Sequence, residues 1–208
     1  MAYKKSDEYK EQSKERYDIE ADEYDSGDRG YHARQLYTDI QHKLEDFSFK
    51  NLLDIGCGTG NLLSFISSKY STEISGVDIS PKMLQIANEK LGDVADLREG
   101  DSANLPFDDE SFDMVICNDS FHHYPHPEMV ISEIRRVLKP RGNILISDIT
   151  GNTLFRFYLN LRRHFSDEGT FKIYSKDEIS KLLENTQFTN IKSVLIPDKI
   201  AFIVTASK

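Results

Sequence analysis

The stretch 52-LLDIGCGTGNLL-63 indicates how this chain folds. An apolar run comes first, glycines follow at every second position (Gly56, Gly58 and Gly60), and leucines come last. A buried strand, a turn without Cβ atoms and the start of a helix make up the first turn of an open α/β sheet, where ligands bind. The turn is predicted to bring backbone N–H groups close to a ligand, although glycines alone are also compatible with a plain tight turn.

The surrounding sequence predicts the rest of this sheet. Short apolar runs typical of buried parallel strands occupy residues 51–55, 73–79, 112–118 and 143–149. Helix-like segments follow the first three, and Ser80 before Pro81 is typical of an N-cap. Residues 95–100 would add a short strand, and two apolar runs on either side of Pro197 and Asp198 predict an antiparallel hairpin. This order predicts a doubly wound, mostly parallel α/β sheet with helices on both faces.

Composition narrows the classes of partner. The 208 residues carry a net charge of −9, and no basic stripe is present that could follow a phosphate backbone, so nucleic acid is not expected as a substrate. The N-terminus lacks an apolar leader, and no run approaches the ~18 apolar residues of a membrane helix. We therefore expect a soluble, cytoplasmic protein without membrane insertion. Cys57 and Cys117 are the only cysteines and form no CxxC pair, so neither disulfides nor a zinc site are expected.

Asp78, at the end of the second predicted strand, indicates what the turn binds. An acidic side chain at this position can accept hydrogen bonds from two ribose hydroxyls. Dinucleotide sites typically show G-x-G-x-x-G, whereas this chain has G-x-G-x-G preceded by Asp54. A second acid would repel a pyrophosphate but suits a cationic amino-acid moiety. A nicotinamide-dinucleotide oxidoreductase on a similar sheet stays an alternative at this point.

The ordered motifs resemble those of the class I S-adenosylmethionine-dependent methyltransferases, especially the small-molecule subgroup similar to ubiquinone and menaquinone methyltransferases. The matching segments are DIGCGTG (54–60), VDIS (77–80), EGDSANLPF (99–107), FDMVICNDSFHHY (112–124) and LKPRGNILISD (138–148). The resemblance implies a seven-stranded, Rossmann-like sheet with an antiparallel last strand. It also implies S-adenosyl-L-methionine as cofactor and a small-molecule acceptor as substrate.

The same resemblance implies a set of cofactor-binding residues. The loop from Asp54 to Gly60 would hold the methionine part, Asp78 the ribose, and the remaining residues the adenine and the side of the cofactor that faces the substrate. The full set is Tyr24, Asp54, Gly56, Cys57, Gly58, Asp78, Ile79, Met83, Asp101, Ser102 and Asn118. Ile79 and Met83 are nearly as compatible with ordinary core packing, and Asp101 is also compatible with a solvated loop.

The charged, tyrosine-rich N-terminus is predicted to form a helical arm. Tyr17, Ala21 and Tyr24 share one helical face, and YDIEADEYD (17–25) is similar to the YDxxAxxYD segment that precedes the core in many relatives. By that resemblance the arm folds over the cofactor, with Tyr24 near the carboxylate end. Aromatic packing of the arm on the sheet is the alternative.

The sequence assigns no catalytic residue. Methyl transfer is an in-line displacement at a sulfonium, which requires positioning of the nucleophile and, only for some acceptors, a base. His122, His123 and His126 follow the fourth predicted strand, but no carboxylate lies at an interval typical of a metal site. We expect no metal, and a cofactor-binding module without catalytic activity stays a further alternative. Neither the acceptor nor the oligomeric state follows from the sequence.

We expect a single methyltransferase domain over residues 1–208. Its predicted parts are a helical arm or lid (1–45), a cofactor-binding core (46–150), a cap segment (151–186) and a terminal hairpin (187–208). Leu154, Phe157, Tyr158 and Leu161 are spaced as on one helix. That helix is expected either to cover the acceptor pocket or to pack on the sheet.

Overall fold

The computed structural model describes residues 6–162 and 169–208, so part of the predicted cap segment lies outside the described residues. Its strands are β1 (Asn51–Ile55), β2 (Glu73–Asp78), β3 (Ala95–Glu99), β4 (Phe112–Asn118), β5 (Leu138–Ile149), β6 (Thr189–Ile196) and β7 (Ala201–Ser207). Its helices are α1 (Ser6–Tyr24), α2 (Asp28–Gln35), α3 (Tyr37–Leu44), α4 (Asn61–Ser67), α5 (Pro81–Leu91), α6 (Pro127–Val137), α7 (Thr153–Arg162) and α8 (Lys176–Asn185). Short 3₁₀ turns occupy Gly92–Val94, Phe121–His123 and Pro197–Lys199.

The strands form one seven-stranded sheet in the order β3-β2-β1-β4-β5-β7-β6. The first five strands are parallel, and β7 pairs antiparallel with both β5 and β6. The predicted fold class, with its terminal hairpin, is therefore confirmed. The chain proceeds outward from β1 in one direction and from β4 in the other, so the strand order reverses between them. Ligands bind at such a switch point, outside the carboxyl ends of the strands.

Predicted and observed strand limits differ most at β5. The sequence predicts this strand over 143–149, but β5 begins at Leu138, directly after α6 ends at Val137, so Pro140 lies within the strand. The pairing with β4 shifts register there, and Arg141 adopts a left-handed φ of 67°. The proline therefore sits where the ladder is already interrupted, as prolines in strands usually do.

Apolar side chains cover both faces of the sheet, as expected for parallel strands. Successive β4 residues alternate between the two sides: Val115 packs in the cluster beneath α6 and α8, and Ile116 in the cluster beneath α4 and α5. Ile40 and Leu44 of α3 are fully buried in the second cluster. The C-terminal part of the predicted arm therefore belongs to the core. Among the described residues, no helix is both long and apolar enough to cross a membrane.

Candidate active site

A cavity of about 760 Å³, including its open mouth, lies at the carboxyl ends of β1, β2 and β4. Nine of the eleven residues predicted to bind the cofactor line it: Tyr24, Gly56, Gly58, Asp78, Ile79, Met83, Asp101, Ser102 and Asn118. Asp54 and Cys57 do not line it. The fold thus brings residues from four separate motifs and the arm to one place.

The glycine turn is built from strained backbone that only glycine adopts at low cost. Gly56, Gly58 and Gly60 have φ values of 73°, 53° and 73°. A Cβ on Gly56 would lie 2.7 Å from the Ser120 Cβ, so no larger residue fits there. A Cβ on Gly58 would meet no atom within 4 Å, so the backbone at Gly58 is open to the cavity.

Asp78 is held rigidly against this turn. Its Oδ2 accepts a hydrogen bond from Gly58 N at 2.8 Å, and its Oδ1 accepts from Ser80 N at 2.9 Å. Burial raises the pKa of Asp78, and these backbone donors offset part of that rise. The carboxylate therefore fixes the turn while it lines the cavity.

Asp54 and Cys57 lie beneath the turn. Asp54 is 2% exposed, and burial, together with the nearby charge of Asp78, raises its pKa to about 8. The Cys57 thiol packs against Gly76 of β2, where an added Cβ would lie 2.8 Å from the sulfur. Burial raises the pKa of this thiol as well. Cys57 therefore contributes packing, and Asp54 places a proton-binding carboxyl just below the loop.

The opposite end of the cavity contains the residues predicted to contact adenine. Met83 is buried, and its backbone N donates to Ser80 Oγ at 3.1 Å, which confirms Ser80 as the N-cap of α5. Asp101 Oδ1 accepts from Ala103 N at 2.9 Å, and its Oδ2 accepts from Lys10 Nζ at 2.6 Å. The sequence interpretation missed Lys10, which comes from α1 to this edge.

Helix α1 covers the cavity and is tied down at both ends. Lys10, Ser13, Tyr17 and Tyr24 line the cavity from above. Tyr17 and Tyr24 meet edge to face, with ring centroids 6.0 Å apart, and burial raises the pKa of each phenol. The arm thus supplies aromatic surface and excludes water from this part of the cavity.

Asp25, just past α1, clamps the arm to the start of α4. Its Oδ1 accepts from Thr59 Oγ1 at 2.5 Å and from Asn61 Nδ2 at 2.6 Å, and Lys90 Nζ lies 2.9 Å from Oδ2. Burial alone would raise the pKa of Asp25, but these hydrogen bonds and the Lys90 charge hold it below its usual value. The arm is therefore bonded directly to the segment that follows the glycine turn.

Two of the three histidines that follow β4, His122 and His123, have different settings, and only His123 lines the cavity. His122 Nδ1 lies 2.7 Å from Asp148 Oδ1, and its backbone N donates to Asp148 Oδ2 at 2.9 Å. His123 lines the cavity, its Nε2 lies 2.8 Å from the Tyr17 hydroxyl, and its Nδ1 lies 3.1 Å from Gly169 O. Burial and the neighbouring His122 lower the pKa of His123 to about 3, so it is neutral. His126 does not line the cavity.

The fold supplies His122 with a carboxylate partner that its sequence spacing does not indicate. Asp119, His122 and Asp148 each place a potential ligand atom within 4.8 Å of the others. Asp148 lies on β5, far along the chain, and meets His122 because the carboxyl ends of β4 and β5 are adjacent. Spacing within one segment does not reveal such a partner.

Comparisons with known proteins agree with this geometry. Residues 53–146 match a family described as a methyltransferase domain. The demethylmenaquinone methyltransferase of Staphylococcus aureus is 27% identical over 164 residues, which cover 67% of this chain and 68% of that protein. This chain belongs to the class I S-adenosylmethionine-dependent methyltransferases. It is an enzyme whose cofactor is S-adenosyl-L-methionine, and the dinucleotide alternative is not supported.

One further relative and two solved structures are also similar to this chain. Sterol 4-C-methyltransferase strm-1 of Caenorhabditis elegans is 33% identical over 121 residues, covering 56% of this chain and 36% of that protein. A Haloferax volcanii structure of a methyltransferase with the Trm112 activator matches with a TM-score of 0.75 at 20% identity, over 92% of this chain and 96% of that one. A Haemonchus contortus phosphoethanolamine N-methyltransferase 2 matches with a TM-score of 0.69 at 19% identity, over 84% of this chain and 52% of that one. These structures share the fold of this methyltransferase.

Proposed function

We propose that this methyltransferase acts on a small-molecule acceptor that binds in the cavity beneath α1. The observation that carries the proposal is the lining of this cavity, in which predicted cofactor residues share one concave surface with Tyr17, Asp119 and His123, apolar rings with a few convergent polar groups as in small-molecule sites. The net charge of −9 also disfavours a nucleic-acid substrate. Relatives named for demethylmenaquinone, a sterol and phosphoethanolamine support the same class of acceptor.

In this proposal the cofactor lies along the turn and across the end of β2. The backbone of Gly56 and Gly58 holds the methionine part, and Asp78 accepts hydrogen bonds from the ribose hydroxyls. Ile79 and Met83 flank the adenine, and Asp101 and Ser102 meet its edge. The position of all seven in the lining of one cavity supports these roles.

The remaining predicted residues act around the methionine part. Asp54 stabilises a cationic ammonium group from below, because opposite charges attract strongly in a buried site. Asn118 lies where cofactor and acceptor meet, with its amide oriented by Ser147 Oγ at 2.8 Å. Tyr24 covers the carboxylate end.

The bound cofactor supplies an electrophilic methyl group on a sulfonium. The protein orients the acceptor in line with that methyl group and keeps water out, which can account for most of the acceleration. The faces of the Tyr17 and Tyr24 rings suit a neighbouring cation. Asp78 and Asp119, also on the cavity wall, add a negative potential that favours the positive sulfonium.

A methyl-transfer assay with separate acceptor pools tests this function. The protein would be incubated with radiolabelled S-adenosylmethionine and, separately, a library of small amines, phenols and quinols, a total RNA sample and a protein lysate. We expect label only in small-molecule fractions. Label in RNA or protein, with none in small molecules, would overturn the proposal. Catalytically inert protein that still binds the cofactor would favour the binding-module alternative.

A further inference from the structure

We call the part of the cavity lined by Tyr17, Asn118, Asp119 and His123 its acceptor end. Asp119 has an unusual backbone there. It follows β4 directly, lines the cavity and adopts a φ of 52°, a left-handed conformation uncommon outside glycine. Its backbone N donates to Ser147 O at 2.8 Å, which fixes it between β4 and β5. Strained residues of this kind concentrate at functional sites.

His32 of α2 determines the charge state of Asp119. His32 Nε2 lies 3.2 Å from Lys199 O, and because a carbonyl oxygen only accepts, Nε2 carries a hydrogen. His32 Nδ1 lies 3.0 Å from Asp119 Oδ1. The hydrogen bond to Asp119 raises the pKa of His32. Burial alone would raise the pKa of Asp119, but His32 and the nearby His122 hold it below its usual value. Both ring nitrogens of His32 face acceptor oxygens, an arrangement that favours an imidazolium beside an ionised Asp119.

His32 balances the Asp119 charge from outside the cavity lining, and among the described lining residues no unpaired lysine or arginine adds to it. Lys10 is the only lysine or arginine among the described lining residues, and it is paired with Asp101. His123 is neutral. Within the described parts of the chain, Asp119 Oδ2 has no hydrogen-bond partner. The acceptor end therefore presents aromatic rings and one ionised carboxylate.

We propose that Asp119 binds the acceptor directly and selects amines and other hydrogen-bond donors over anions. The inference rests on the proposed function, because it concerns the acceptor of that reaction. An ammonium or amine N–H donates to Oδ2 in a charge-assisted hydrogen bond, while the Tyr17 and Tyr24 rings surround the cation. A carboxylate in the same place has no hydrogen to donate to Oδ2 and meets another acceptor oxygen instead.

A metal ion is the competing explanation for this cluster. Asp119, His122 and Asp148 are close enough to share an ion. However, Asp148 already accepts from His122 Nδ1, His122 N and Ile149 N, and Asp119 accepts from His32. These hydrogen bonds account for the arrangement without an ion.

Binding of three matched probes tests the inference. Protein saturated with S-adenosylhomocysteine would be titrated by calorimetry, in EDTA, with 2-phenylethylamine, 2-phenylethanol and 3-phenylpropionate. We expect the amine to bind most tightly and the carboxylate least. Asp119→Asn should weaken amine binding by about 10-fold or more, because a hydrogen bond to a charged group is lost. Asp198→Asn, the same change at an exposed aspartate, should have no effect.

Several results would overturn the inference. They are carboxylate binding as tight as amine binding in the unaltered protein, no amine binding at millimolar concentration, and an unchanged amine preference in Asp119→Asn. A preference that appears only when EDTA is replaced by a divalent metal would favour the metal site instead. Asparagine tolerates a left-handed φ, so Asp119→Asn should fold. Failure of S-adenosylhomocysteine itself to bind would count against the proposed function, not against Asp119.

Discussion

The two halves of the cavity are assembled in different ways. On the cofactor side, the contact between Gly58 and Asp78 joins residues 20 positions apart, and both belong to one strand–turn–helix–strand unit. On the acceptor side, the Tyr17–His123 contact spans 106 positions and the His32–Asp119 contact spans 87. A local motif therefore builds the centre of the cofactor side, whereas packing of the arm on the sheet builds the acceptor side and adds Lys10 at the adenine edge. The first half is expected to survive changes in the arm better than the second.

The largest expected effect is on the cofactor side, at Asp78. Asp78→Ala removes an acceptor for the ribose hydroxyls and for Gly58 N. Each hydrogen bond to a charged group is worth about 1.5–3 kcal/mol, so cofactor affinity should fall by roughly 10-fold to over 100-fold. Calorimetry with S-adenosylhomocysteine measures this change.

Asp78→Asn is the matched variant, because it keeps the shape and one acceptor oxygen, and it should lose less affinity. Circular dichroism checks that both variants fold. Unchanged affinity in a folded Asp78→Ala protein would place the ribose elsewhere and contradict the assignment of this side of the cavity to the cofactor.

An intermediate effect is expected where the two halves meet, at Asp25. Asp25→Ala releases the arm from Thr59, Asn61 and Lys90. Because the cluster is partly exposed, cofactor affinity should fall only about 3- to 10-fold. Asp22→Ala, at an exposed position in the same helix, is the control. Equal affinities in both variants would show that the arm does not contribute to cofactor binding.

A smaller effect is expected at Asp54, where cofactor binding should change the number of bound protons. Its pKa of about 8 means that it is mostly protonated at pH 7, and a cationic ammonium nearby would lower that pKa. Cofactor binding should therefore release up to about one proton at pH 7. Calorimetry in buffers of different ionisation enthalpy counts the protons, and Asp54→Asn should abolish the release. Proton uptake, or release that persists in Asp54→Asn, would place the ammonium away from Asp54.

Asp54 also makes stability depend on pH. Its folded-state pKa is raised above the unfolded value of about 3.9, so its contribution is fully present below pH ~4 and is lost as pH rises through about 8. The melting temperature of the cofactor-free protein should fall less steeply over this range in Asp54→Asn. Parallel melting curves for the two proteins would contradict the raised pKa.

The smallest effect is the change in stability expected from a substitution in α7. Leu154 is 81% exposed, and α7 has no buried residue, so Leu154→Ala should change stability by about 0.5 kcal/mol or less. Leu183→Ala, on the buried face of α8, should cost about 2–5 kcal/mol. Urea unfolding compares the two. A large cost at Leu154 would mean that α7 packs on a surface outside the described residues.

The contrast between local assembly and long-range packing explains what could be predicted from the sequence. The strand limits at β1 and β4, the N-cap at Ser80 and the terminal hairpin follow from periodicity and local backbone chemistry, and the structure confirms them. Asp78 could be found because its position relative to the glycine turn is set within one unit of the fold. Each of these features depends on neighbours in the chain.

The missed features depend on long-range packing. The Lys10–Asp101 pair and the Asp25 clamp require the arm to lie over the cavity, and a helix face does not specify where it docks. The Asp148 partner of His122 depends on which strand lies beside β4. For α7, exposure argues against packing on the sheet for stability, and none of its residues lines the cavity. Its role as a cap stays a prediction.

The most direct test of the central claim is a crystal structure with S-adenosylhomocysteine bound, in which the distances from the Asp78 carboxylate oxygens to the ribose hydroxyl oxygens are measured. We predict both hydroxyls at about 2.5–3.0 Å from that carboxylate, with the amino-acid part against Gly56 and Gly58. Ribose beyond about 4 Å from Asp78, or the ligand outside the cavity, would contradict the account, because neither position permits a hydrogen bond to Asp78.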